Sequence, residues 1–249
     1  MSEAGLTLTG ERTLPGIPSE NYWFRRHEAA YACLAPRLAG DRLLEVGSGE
    51  GYGAALLSDR FSSTLALDYD PAAMTHLRRR YPNLHAGRAN LAALPVLAAR
   101  IDAVVSLQVL EHVWVPTEFL AECHRVLRSD GTLVLSTPNR LTFSPGLARG
   151  AKPQNPFHIR EFDAEELVAL VTATGFEVVE LLGLHAGARL RALDSRFAGG
   201  LIAAQLADPA PSWSTELQRA VESVAVADFT VSAEGIDTSL DLIVLARPR

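Results

Sequence analysis

The stretch Leu43-Leu44-Glu45-Val46-Gly47-Ser48-Gly49-Glu50-Gly51-Tyr52-Gly53 limits the fold more than any other part of the chain. An apolar run of strand length passes into glycines at alternate positions and then into a helical pattern. Glycine tolerates left-handed dihedrals and lets a ligand lie against the backbone. A helix that starts there turns its free amides and positive dipole end toward the same place. Strand, glycine loop and helix in that order open a layered α/β domain that binds a nucleotide-like ligand. The spacing departs from the G-x-G-x-x-G of nicotinamide-binding loops, because Tyr52 stands where the third glycine, counted from Gly47, would be.

From Arg42 onward, short apolar runs alternate with helical periodicity, as in a doubly wound α/β domain with a mostly parallel sheet. Strands are expected near 42–46, 64–67, 84–86, 103–107, 132–136, 177–182 and 240–246. Asp70-Pro71 opens a helix that runs to about Arg80. Asp163 with Glu166 forms a capping box, and Gly175 closes that helix. Asp130-Gly131 reads as a turn. Residues 1–36 are expected to be an arm and a first helix, and 37–249 the ligand-binding domain, with a helical cap over about 185–227 broken by Asp208-Pro209-Ala210-Pro211.

Composition excludes several classes. A net charge of −6 argues against nucleic-acid and anionic-membrane binding. No apolar run reaches the roughly 18 residues of a membrane span, and no signal peptide opens the chain, so a cytoplasmic location is expected. Cys33 and Cys123 lie in no metal or redox spacing. The oligomeric state is left open, a homodimer among the options.

Three further segments agree with the glycine loop. Asp68 ends the second strand, where a carboxylate accepts both hydroxyls of a ribose; nicotinamide enzymes place an acid there too. Asn90-Leu91 follows the third strand, before Leu94-Pro95. Ile101-Asp102-Ala103-Val104-Val105-Ser106-Leu107-Gln108-Val109-Leu110-Glu111-His112-Val113 places Leu107 and Gln108 at the carboxyl end of the sheet, where α/β ligands bind.

From about Arg42 to Ala246 this pattern resembles class I S-adenosylmethionine (SAM) dependent methyltransferases. The resemblance implies a Rossmann-like seven-stranded sheet with an antiparallel last strand, and SAM as cofactor. Glu45 would orient the loop, with Gly47, Ser48, Gly49 and Gly51 against the cofactor. Asp68 would hold the ribose, Asn90 and Leu91 the adenine, with Tyr69, Leu107 and Gln108 beside them. Arg26 or His27 would stand near the methionine carboxylate.

Glu111 and His112, with His158 from Asn155-Pro156-Phe157-His158-Ile159-Arg160-Glu161, resemble the ligand set of methyltransferases that hold a divalent metal such as Mg²⁺ through Glu-x-x-Glu-His and a later His. Gln108 departs from that pattern, replacing the first Glu. The alternatives are that His112 or His158 is a general base without metal, or that the cluster only caps a helix or lines the pocket. The arm, Ser136-Thr137-Pro138-Asn139-Arg140 and the His158 segment resemble actinobacterial sugar O-methyltransferases of the methylglucose lipopolysaccharide type. Tyr22, Trp23 and Phe143 suit either stacking on sugar rings or core packing. The expected reaction is methyl transfer to a hydroxyl of a sugar or oligosaccharide. The rivals are a small non-sugar acceptor on oxygen or nitrogen, a nucleotide-dependent oxidoreductase, and a non-catalytic SAM-binding protein. Titration calorimetry separates the cofactor classes: S-adenosylhomocysteine (SAH) binds and NAD does not.

Overall fold

The computed structural model describes residue 6 and residues 12–249, so most of the arm's first half lies outside the described residues. Helix α1 (Asn21–Leu34) leads into β1 (Gly40–Val46), α2 (Tyr52–Ser58), β2 (Phe61–Asp68), α3 (Pro71–Arg80), β3 (His85–Arg88) and β4 (Ile101–Leu107). Next come α4 (Pro116–Val126), β5 (Leu127–Pro138), α5 (Arg140–Phe143), α6 (Ala164–Ala173) and β6 (Phe176–Ala186). Helices α7 (Ala188–Asp194), α8 (Gly200–Ala207) and α9 (Thr215–Glu222) precede β7 (Phe229–Ser232) and β8 (Asp241–Pro248).

These strands form one sheet in the order β3-β2-β1-β4-β5-β8-β6-β7. The expected seven strands are therefore eight. The addition, β7, pairs antiparallel with β6 through only four residue pairs at the sheet edge. A strand that short, behind a broken helical stretch, carries too little alternation to be read from sequence. β8 runs antiparallel to both β5 and β6. Strand order reverses between β1 and β4, which opens a crevice at their carboxyl ends.

The local signals act through identifiable bonds. Asp70 accepts from Ala72 N at 2.8 Å to cap α3, and Asp163 and Glu166 form both bonds of the capping box. Asp130-Gly131, expected as a turn, lies inside β5. There the register jumps from Ile101↔Leu127 to Ala103↔Thr132, so the extra residues bulge out of the ladder. Successive strand residues feed opposite cores: Leu43, Val105, Val134 and Ile243 pack under α1 and α9, while Leu44, Val104, Leu135 and Val244 pack under α4 and α6.

Two buried polar contacts tie this frame together. Arg26 of α1 donates from Nε to Asp241 of β8 at 2.8 Å, and its terminal nitrogen pairs with the other carboxylate oxygen. Both residues are at most 3% exposed. Glu45 on β1 accepts the Tyr31 hydroxyl at 2.6 Å. A Cβ on Gly53 would fall 2.3 Å from that same carboxylate oxygen, so only glycine lets α2 start so close. The other Glu45 oxygen has no partner among the described residues.

Burial raises the Glu45 pKa from its ordinary 4.5 to about 7, against the opposing hydrogen bonds from Tyr31 and Ala54. Between those two pH values the folded protein keeps a proton that the unfolded chain releases, so stability falls as pH rises through the window. Glu45→Gln is expected to flatten that fall by on the order of 3 kcal/mol, read as the wild-type-minus-variant difference in urea titrations at pH 5 and pH 7.5. In the same titrations Arg26→Met, which leaves Asp241 buried without its cation, is expected to cost about 3–5 kcal/mol.

Candidate active site

The crevice beside β1 and β4 is a pocket of about 260 Å³. Its floor is the glycine loop. Gly47 has φ +76°, and a Cβ there would strike the Val109 side chain at 2.4 Å. Gly49, at φ +52°, meets only Arg12 Nε at 3.9 Å, so its exposed face is a cradle that a side chain would fill. Asp68 braces the loop: one carboxylate oxygen accepts from Gly49 N at 2.8 Å and the other from Asp70 N at 2.9 Å. Each oxygen keeps a lone pair for a diol. Ser48, Tyr69, Leu91, Leu107 and Gln108 also line the pocket. Tyr69 is 65% exposed and carries the Arg88 guanidinium 4.9 Å from its ring centre, presenting a flat surface at the rim.

These residues fit a nucleoside: a diol acceptor, a bare backbone cradle and an aromatic rim. Glu45 stands behind the loop rather than in the pocket wall. Asn90 is exposed, and its Oδ1 accepts from Ala92 N at 3.0 Å in a local turn; its neighbour Leu91, not Asn90, reaches the pocket. Arg26, expected near the cofactor, lies instead in the wall of a second cavity, drawn there by Asp241. His27 takes the place in the first pocket. Its Nδ1 lies 2.9 Å from the Tyr52 hydroxyl, which in turn meets Thr13 at 3.1 Å. Burial, and then the Arg26 charge, lower the His27 pKa to about 3, so the imidazole is neutral.

The second cavity, about 650 Å³, adjoins the first, and Arg12, Thr13, His27, Gln108 and His112 line both. Gln108 sits at the junction with φ +56°, a strained value for a side chain of this kind. Its amide donates to Ser136 Oγ at 3.1 Å and Asp241 Oδ1 at 3.0 Å. A glutamate here would set a carboxylate against Asp241, which explains the neutral amide.

The segments carrying Glu111-His112 and His158 do converge. Ile159 N donates to the Glu111 carbonyl at 2.8 Å, and Asn139 and Phe162 form a parallel bridge. Thr137 donates to the Glu111 carboxylate at 3.0 Å. Burial raises the Glu111 pKa, while His112 and His158 pull it down. The His112 and His158 ring centres are 5.1 Å apart. Ligand atoms of Glu111, His112 and His158 all lie within 4.8 Å of one another. His112 Nδ1 is 3.1 Å from the Phe157 carbonyl. A carbonyl only accepts, so Nδ1 carries the hydrogen and Nε2 the lone pair in the neutral ring. His158 Nδ1 pairs with Glu161 at 2.8 Å. Burial raises the Glu161 pKa, but that bond and the His158 charge help to bring it below the ordinary value.

Sequence reading singled out neither Glu161 nor Asp241. The i, i+3 spacing of His158 and Glu161 was the available signal for the first. Asp241 lies 133 residues from Gln108 and carried none. Tyr22, 3% exposed and edge-on to Trp23 and Phe229, belongs to the core. Trp23 and Phe143 line the second cavity.

Residues 44–135 match the family model described as a methyltransferase domain. The chain is 49% identical over 251 residues to a protein of Mycobacterium tuberculosis named a probable S-adenosylmethionine-dependent methyltransferase, covering 98% of this chain and 90% of that one. It is 28% identical to a ubiquinone biosynthesis O-methyltransferase of Pseudomonas aeruginosa over 59% of this chain and 69% of the other. Its fold matches a SAM-dependent methyltransferase of Thermotoga maritima, titled a possible histamine N-methyltransferase, with TM-score 0.60 and 20% identity, over 91% of this chain and 93% of that one. The chain belongs to the class I SAM-dependent methyltransferases.

Proposed function

We propose that the protein transfers the methyl group of SAM to a hydroxyl of a sugar or oligosaccharide, with His112 as the base. The observation that carries this reading is the meeting of the two cavities at Gln108 and His112. Bound SAM supplies an electrophilic methyl on a sulfonium with a ready leaving group. The glycine loop and Asp68 bind the nucleoside end. Neutral His27 adds no like charge beside a sulfonium. His112 Nε2 takes the proton of the attacking hydroxyl. The Phe157 carbonyl holds the ring in that tautomer, and the Glu111 carboxylate, 4.0 Å from Nε2, stabilises the imidazolium. The rest of the chain's task is to align oxygen, methyl and sulfur and to exclude water. A relative named an O-methyltransferase, matched over 59% of this chain, supports oxygen as the acceptor atom. The sugar rests on the sequence resemblance and on the aromatic and polar lining of the second cavity.

A divalent cation held by Glu111, His112 and His158 is the second reading, favoured by the clustering of their ligand atoms. One carboxylate and two imidazoles suit a borderline ion better than Mg²⁺, which prefers oxygen, and the amide nitrogen of Gln108 is turned to Ser136 and Asp241. A bound cation would acidify the hydroxyl. On an active acceptor, His112→Ala is expected to lower kcat by roughly 10²–10⁴-fold while SAH still binds. Unchanged kcat rejects His112 as the base. Activity lost in EDTA and restored by a divalent ion establishes the cation; full activity of a metal-free preparation rejects it.

A further inference from the structure

Helix α8 contributes a polar side chain to the wall of the larger cavity. Gln205 is 5% exposed and lines the same space as Glu111 and His158. Its Nε2 donates to the Leu201 carbonyl, 3.2 Å away and one turn earlier. A carbonyl only accepts, so that bond fixes which way the amide lies. Oε1 is left as a buried acceptor with no partner among the described residues. A buried acceptor of this kind calls for a donor from something that is bound.

The charges in the wall narrow what that ligand is. Glu20 lines the cavity and has no ion pair among the described residues, and burial raises its pKa. Asp208 and Glu161 add further carboxylates to the lining. Both lining guanidiniums already have carboxylate partners, Arg12 in Asp70 at 2.7 Å and Arg26 in Asp241, while the buried Arg12 Nε, without a partner among the described residues, lies on the side of the glycine loop. Lys152, the single lysine of the chain, is not part of the wall. A phosphate would meet carboxylates, and the guanidiniums of the wall are already paired with Asp70 and Asp241. Hydroxyls, by contrast, bring the donors that carboxylate and amide oxygens accept. Trp23, Phe143 and Trp213 offer aromatic faces for the C–H side of a ring.

We propose that Gln205 Oε1 and the Glu20 carboxylate each accept a hydrogen bond from an acceptor hydroxyl other than the one methylated, so that the cavity selects an uncharged polyhydroxylated ring over a phosphorylated or nucleotide-linked one. This rests on the sugar reading above and names the residues that choose among sugars.

The test is steady-state kinetics of wild type, Gln205→Leu and Glu20→Leu. The panel holds neutral methyl glycosides and oligosaccharides, their phosphorylated counterparts, and a catechol as the non-sugar member. Neutral sugars are expected to be methylated, with kcat/KM at least about tenfold above their phosphorylated counterparts. Each variant is expected to raise the acceptor KM about tenfold while kcat moves less than about threefold. Unchanged SAH affinity by calorimetry shows that fold and donor pocket are intact. If both variants keep the wild-type KM on a neutral sugar that is methylated, or if the phosphorylated form is preferred, this assignment falls and the sugar reading stands. Turnover of the catechol alone overturns the sugar reading and this assignment with it.

Discussion

A guanidinium and a carboxylate, buried together at the carboxyl end of the sheet, hold the site in shape. Arg26 brings the first helix, Asp241 brings the last strand, and Gln108 joins them from the end of β4. Taking such a pair out of water costs several kcal/mol per ion, and only close geometry with extra hydrogen bonds offsets it. The extra bonds are present: Gln108 donates to Asp241 and Arg26 to the Leu240 carbonyl at 3.3 Å, and the Arg26 guanidinium also lies over the Phe143 ring at 4.5 Å. The network therefore sets where the two cavities meet, and it constrains Gln108 to be a donor.

In the proposed function, the two cavities divide the work. The donor side is built from backbone: glycine amides, a carboxylate that braces them, and a strand end. The acceptor side is built from side chains that come from an arm, a loop and a cap. Backbone cradles suit a cofactor shared by a whole family, whereas side chains on variable segments suit acceptors that differ from member to member.

Legibility in the sequence follows the same division. The glycine loop, Asp68 and the β4 segment could be read because their chemistry is local: each needs particular residues within a few positions of a strand end. The capping box at Asp163 and the cap at Asp70 were legible for that reason as well. Arg26 was misplaced because its partner lies 215 residues away. β7 was missed because four edge residues carry little pattern, and the Asp130-Gly131 bulge was read as a turn because a bulge uses turn residues. Asn90 and Leu91 show the limit at finer scale: the segment was found, but a one-residue choice of which side chain faces the pocket depends on a turn that periodicity does not encode.

The 215-residue gap between Arg26 and Asp241 also bears on how the chain comes into being. At ordinary translation rates the helix with Arg26 emerges on the order of 10–40 s before Asp241 is made. During that interval β5 and β6 lack the strand that lies between them, and the first helix has a cation with no buried counter-charge. The pairings of β1 with β2 and β4 join segments close in sequence, whereas the Arg26–Asp241 contact waits for the last strand. Topology of this kind folds slowly and leaves the edges of β5 and β6 open until β8 pairs with both.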